Sequence, residues 1–106
     1  MIIEPGMKLY GYTVRNGKFF IHEGTVNDNG IRKIVNFTDG TFRQRCPRPE
    51  DIGVIRSEGP SLWLIDRDDK LAKQMFLKYE EHKLEQLQRQ VETKINIIRM
   101  LREDDE

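Results

Sequence analysis

Cysteine is almost missing from this chain. Cys46 stands alone, so no internal disulfide can form and no cysteine cluster can hold zinc. Histidine is nearly as scarce, and His22 and His82 share no metal-ligand spacing with each other or with a carboxylate. No glycine-rich phosphate loop occurs. The acidic run Asp66-Arg67-Asp68-Asp69 lacks the glycine and the twelfth-position glutamate of a calcium loop. No metal, no cofactor and no catalytic constellation are expected, and the protein reads as non-enzymatic. With no apolar run of 18 residues and no signal peptide, the expected location is the cytoplasm, with no membrane partner. Formal net charge is zero, which excludes both a polyanion that imitates DNA and a general polycation. Charged residues make up 34% of 106 residues against 37% hydrophobic, which leaves one domain with a small core.

The last absence is the most informative. No glycine or proline follows Pro60, and beyond it Leu71, Ala72, Met75, Phe76, Tyr79, Leu84, Leu87, Val91, Ile95, Ile98 and Leu101 recur at the three- and four-residue spacing of a helix. The pattern predicts one long helix from Asp66 to Asp104, with Asp66 as N-cap and Asp68 and Asp69 in the first turn, where the helix dipole favours carboxylates. Glu103 to Glu106 place negative charge at the opposite pole, so fraying is expected there. At about 100° per residue, Ala72, Phe76 and Tyr79 lie a quarter-turn from Leu87, Val91, Ile95 and Ile98. The first half is therefore expected to pack on the preceding unit. Leu84, Leu87, Val91, Ile95, Ile98 and Leu101 are expected to mediate self-association as a short coiled coil or a helix-swapped dimer, the alternative being a helix folded back on its own domain.

Before the helix the pattern changes to short strands. Lys8 to Arg15 alternates, Asn16-Gly17 suits a type I′ turn, and Lys18 to Val26 answers as its partner, which sets Val14 opposite Phe19 and Tyr12 opposite Ile21. Asn27 to Gly30 reads as a turn and Ile31 to Phe37 as a third strand. Asp39-Gly40 predicts a second hairpin into Thr41 to Cys46, with Phe37 opposite Phe42 and Val35 opposite Gln44. Pro47-Arg48-Pro49 reads as an extended edge segment. Two further strands, Ile52 to Arg56 and Ser61 to Ile65, flank a turn over 57–60, and Leu62-Trp63-Leu64-Ile65 should be buried on both sides. The expected fold class is α+β, with residues 1–65 forming a small antiparallel sheet or SH3-like β-barrel and residues 66–106 one long C-terminal helix.

Charge is uneven within this neutral chain. Between Asn29 and Arg48 stand five basic residues and one acidic one. Arg32, Arg43, Arg45 and Arg48 are the candidate ligand-binding residues, because guanidinium groups on a rigid sheet can grip phosphate in bidentate fashion and Tyr10, Tyr12 or Phe20 could offer a base a stacking face. The competing expectation is that these arginines solubilise an exposed face and pair with Glu23, Asp28 or Glu50. Cys46 has basic neighbours that would favour a thiolate, yet its side of the strand makes it a core residue first.

The tract Asp51-Ile52-Gly53, Leu62-Trp63-Leu64-Ile65-Asp66-Arg67-Asp68-Asp69-Lys70-Leu71-Ala72-Lys73 and Phe76, followed by a long charged helix, resembles a recurrent group of small proteins encoded by phages and prophages of Firmicutes. It covers roughly the second half of the chain. The resemblance implies an accessory role in the cytoplasm of an infected bacterial host, among such roles inhibition of host defence by anti-CRISPR proteins or by sponges that sequester cyclic nucleotides. It assigns no residue a role. The partners expected are further copies of the chain, a bacterial defence protein or an anionic nucleotide, with nucleic acid as a third class.

Overall fold

The computed structural model describes residues 2–38, 43–56 and 61–103, with Arg43 and Gln44 as backbone only. It is α+β: five strands, β1 (Lys8–Arg15), β2 (Lys18–Asp28), β3 (Lys33–Phe37), β4 (Arg43–Arg45) and β5 (Ser61–Leu64), precede one helix, α1 (Asp69–Glu103). The strands form a single antiparallel sheet in the order β4-β3-β2-β1-β5. Contacts divide the chain into two compact units, Met1–Phe76 and Leu77–Glu106.

The first hairpin follows its turn chemistry. Asn16 and Gly17 both adopt positive φ, 52° and 72°, as a type I′ turn requires. The register is the expected one, with Val14 opposite Phe19 and Tyr12 opposite Ile21. In the second hairpin Val35 lies opposite Gln44 as expected. The Asp39-Gly40 turn and the Phe37–Phe42 pair fall outside the described residues. β3 starts at Lys33 rather than Ile31 because Asn29 Oδ1 accepts the backbone N–H groups of both Ile31 and Arg32, each at 3.0 Å, and holds them in the turn.

Residue alternation gives each face of the sheet its own core. On one face Tyr12 packs with Leu62, Leu64, Ala72 and Phe76, flanked by Tyr10, Val14, Phe19 and Ile21. This is the aromatic face expected of the first hairpin, and the first turns of α1 lie on it. Phe19 meets Phe76 edge to face at 6.0 Å, and Lys73 Nζ sits 5.5 Å from the Phe19 ring centroid. On the other face Leu9, Val26, Val35 and Phe37 close around Ile3, with Met7, Cys46, Ile52, Trp63 and Ile65 packed against them. β5 therefore contributes to both cores, Leu62 and Leu64 to one and Trp63 to the other, in agreement with its nearly continuous apolar run. The N-terminal lead belongs to the second core: Gly6 N donates to Val26 O at 2.8 Å and Val26 N to Met7 O at 2.9 Å.

Three further features refine the sequence-based expectation. Ile52 to Arg56 is not a strand; a 3₁₀ turn, Pro49–Asp51, comes first, and only single bridges from Ile52 to Trp63 and from Arg56 to Ser61 follow. Asp51 organises this turn by accepting from Arg48 N at 3.2 Å, and it also pairs with the Arg56 guanidinium. The sheet is open, with β4 and β5 at its edges, so the barrel alternative is set aside among the described residues. The turn over 57–60 lies outside them, as does the helix end beyond Glu103.

The third difference is at the start of α1. The cap is Asp68 and not Asp66: Asp68 Oδ1 accepts from Leu71 N at 3.0 Å, and Ala72 N donates to Asp68 O at 3.0 Å. Its selection is tertiary. The fully buried Tyr12 places its hydroxyl at this point, where it accepts from Asp68 N at 3.0 Å and donates to Asp69 Oδ1 at 3.0 Å. Arg67 Nη2 meets the other Asp69 oxygen at 3.2 Å. One phenol thus ties a central strand to the first free amide of the helix.

Tyr12→Phe removes both bonds while keeping the ring, so a loss of about 1–2 kcal/mol in unfolding free energy is expected by urea titration; Asp68→Ala should lose about 1 kcal/mol. The pH dependence has a defined sign. The Arg67 guanidinium, with the Tyr12 hydroxyl, holds the Asp69 carboxyl below 3.8, and Arg48 N–H with the Arg56 guanidinium does the same for Asp51. A depressed native carboxyl stabilises the fold above its unfolded value, and this contribution disappears as pH falls through the native value. Burial raises the Tyr12 phenol above 10.0, so its contribution is lost as pH rises past that point. The midpoint of thermal unfolding measured by circular dichroism should therefore fall at both extremes, and Tyr12→Phe should blunt the alkaline limb.

Candidate functional site

Two clefts lie along the open side of the sheet unit, and both are lined by Arg45 of β4 and by Ser61 and Trp63 of β5. The edge strands therefore come together around these clefts without forming a ladder among the described residues. The larger cleft, about 670 Å³, is also lined by Arg32, Lys33, Arg48 and Arg56, with Asp51 as the one carboxylate among the described lining residues. The smaller, about 290 Å³, adds Gly11, Arg15, His22 and Phe37.

Each cation is placed by a local feature of the chain. Arg32 closes the Asn29 turn and Lys33 begins β3, where its ammonium donates to Ile3 O at 2.5 Å. Arg45 ends β4 opposite Ile34. Arg48, extended between two prolines at φ −77° and ψ 156°, leads into the 3₁₀ turn. Arg56 is returned to the cleft by its pairing with Asp51 and its bridge to Ser61. Among the described residues five cationic side chains thus line one open volume, and the one lining carboxylate is already paired.

Trp63 forms the wall common to both clefts. Its indole stacks on Phe37, with centroids 6.0 Å apart and planes 18° from parallel. Gly11 opposite makes room for it, since a Cβ there would stand 3.3 Å from the indole ring. In the smaller cleft His22 packs edge-on against Phe37 at 5.4 Å. An aromatic slot therefore adjoins a ring of cations.

Of the four arginines expected to bind a ligand, Arg32, Arg45 and Arg48 line the larger cleft. Arg43 pairs with Asn36 in β4, and its side chain lies outside the described atoms. Ion pairing of the arginines with surface carboxylates is limited: Glu50 lies 4.0 Å from Arg48, while Glu23 pairs with Lys8 at 3.3 Å. Among the described residues no carboxylate pairs with Arg32 or Arg45. Lys33 belongs to the basic stretch though it was not among the named candidates; Arg56 and Trp63 were not legible as site residues. Arg56 is remote in sequence from the basic stretch and Trp63 sits in an apolar run, so only the fold brings them to it. Tyr10 and Tyr12, considered as stacking faces, belong to the opposite core.

The remaining reactive side chains have structural partners. Asp68 and Asp69 are engaged at the helix start. His82 Nε2 lies 3.2 Å from Gln86 Nε2 on α1. Cys46 is half-buried, and burial raises its thiol above 9.0 despite the opposing charge of Lys33. The thiol form therefore dominates at neutral pH. Ellman's reagent at pH 7 should react with Cys46 at least about tenfold more slowly than with free glutathione, the rate rising steeply above pH 9; an equal rate at pH 7 would contradict this placement.

The comparisons add no name to this geometry: no family model, no curated protein and no solved structure matches the chain.

Proposed function

We propose that this chain is a non-enzymatic binding protein for a phosphate-bearing nucleotide, held in the clefts between the edges of its sheet. The observation that carries the reading is the set of five cations, Arg32, Lys33, Arg45, Arg48 and Arg56, around one open cleft that shares the Trp63 wall with an aromatic slot. A volume of about 670 Å³ falls within the range of roughly 300–1,000 Å³ that small-ligand sites occupy. Guanidinium groups supply charge-assisted, bidentate bonds to phosphate, and an indole supplies a face for a base. Together with the resemblance to phage-encoded proteins, this chemistry favours a sponge that sequesters a nucleotide signal of bacterial immunity. A protein–protein inhibitor such as an anti-CRISPR needs no such cleft. A nucleic-acid binder would use the same cations but would engage more phosphates than a nucleotide carries.

The test is native mass spectrometry and calorimetry with cyclic dinucleotides, cyclic and linear mononucleotides, inorganic phosphate and a single-stranded oligonucleotide. Stoichiometric uptake of a nucleotide is expected, accompanied by a change in Trp63 fluorescence. Each of Arg45→Ala and Arg48→Ala should weaken binding by about tenfold or more, the size of one charge-assisted contact. Binding of the oligonucleotide alone, with affinity falling steeply as salt rises, would transfer the site to nucleic acid. Uptake of none of these, or uptake indifferent to both substitutions, would overturn the reading.

A further inference from the structure

The segment Leu77–Glu103 of α1 carries an apolar stripe with a charge pattern that selects its occupant. Leu84, Leu87, Val91, Ile95, Ile98 and Leu101 are between 44% and 57% exposed, and Leu77 is 59% exposed. Leu77, Leu84, Val91 and Ile98 recur every seven residues, the a positions of a heptad repeat. The d positions alternate between charge and apolar side chains: Glu80, Leu87, Lys94 and Leu101. The segment spans roughly 40 Å, close to four heptads, a length sufficient for a coiled coil.

We propose that this face binds the same segment of a second copy in antiparallel orientation, with Leu84 against the partner's Leu101 and Leu87 against the partner's Ile98. The charged d positions exclude the parallel, in-register alternative. That arrangement would set Glu80 against Glu80 of the partner subunit and Lys94 against Lys94 of the partner subunit in the seam, where like charges repel without water between them. In antiparallel pairs a positions meet d positions. The proposed register then stacks Leu84, Leu87, Val91, Lys94, Ile98 and Leu101 on the partner's Leu101, Ile98, Lys94, Val91, Leu87 and Leu84 in turn.

In that register Lys94 lies against Val91 of the partner subunit, where its aliphatic stem can pack and its ammonium reach water. Glu80 and Leu77 fall beyond the last layer that the described residues form. Sliding the helices by one heptad would bury Glu80, whose short stem cannot carry its charge to water as that of Lys94 can, against the partner's Ile98. The flanking positions agree: Glu81 comes beside Arg102 of the partner subunit, and Ile95 and Ile97 lie beside Gln88 and Gln90 of the partner subunit, whose stems cover them. One register therefore pairs every apolar layer from Leu84 to Leu101 and complements the flanking charge. It is independent of the nucleotide reading, since no cleft residue lies on this segment.

The experiment uses the full chain. Sedimentation equilibrium of the unsubstituted protein is expected to show a dimer; a monomer at the highest soluble concentration overturns the proposal. Orientation is read by disulfide trapping in a Cys46→Ser background, with Leu87→Cys and Ile98→Cys placed in separate chains. Mixed and oxidised, the two should form a crossed disulfide, while each alone should remain reduced, because identical positions then lie about 16 Å apart along the axis, far outside disulfide reach. Self-linking of either chain would establish parallel pairing and overturn the orientation. Should the cysteine variants disturb association, Arg102→Glu is expected to weaken the dimer by several-fold and Glu81→Arg in the same chain to restore it; failure of the restoration overturns the register.

Discussion

The hydroxyl of Tyr12 is the contact on which the arrangement of the first unit depends. Its ring is part of the core between the sheet and the first turns of α1, and its oxygen both receives the Asp68 amide and gives its proton to Asp69. A helix start has free amides that must be satisfied, and a buried phenol has a polar atom that must be satisfied. Each solves the other's difficulty. The result determines which of three nearby aspartates begins the helix, and it brings Ala72 and Phe76 onto the aromatic face of β1 and β2.

The same strands are used on both sides, and that accounts for how so short a chain builds a site. β1 and β5 give alternate residues to two cores, so neither face of the sheet is wasted on solvent. Close approach on the second face depends on missing side chains. Gly11 admits the Trp63 indole, and a Cβ on Gly24 would collide with Val35 Cγ1. With the second core closed by Ile3 and the N-terminal lead, the polar ends of β3, β4 and β5 are left around one cleft. Cations gathered there lie next to Ile3 and Trp63, and Asp51 is the one carboxylate among the described lining residues.

Two different kinds of surface are thus carried on one chain. The cleft is polar, concave and built from residues far apart in sequence. The stripe on α1 is apolar, linear and built from a single repeat. They share no residue, so on the two proposals binding of a ligand and pairing of copies would be altered independently, and a paired protein would present its clefts in duplicate.

What the sequence determined by itself was local and periodic. The Asn16-Gly17 turn needs two positive φ angles, and with that turn the whole β1–β2 register followed, because a hairpin has no freedom left once its turn is chosen. The long helix followed from spacing and from the lack of any breaker after Pro60. Tertiary structure decided what depends on residues distant in the chain. It chose Asp68 over Asp66 through Tyr12, reduced the expected strand from Ile52 to Arg56 to single bridges after a 3₁₀ turn at Pro49–Asp51, and left the sheet open where a barrel was equally compatible with the pattern. It also completed the candidate site. Arg32, Lys33, Arg45 and Arg48 were legible as a basic stretch, but Arg56 and Trp63 join them only because the two edges of the sheet converge, and no local pattern encodes where edges meet.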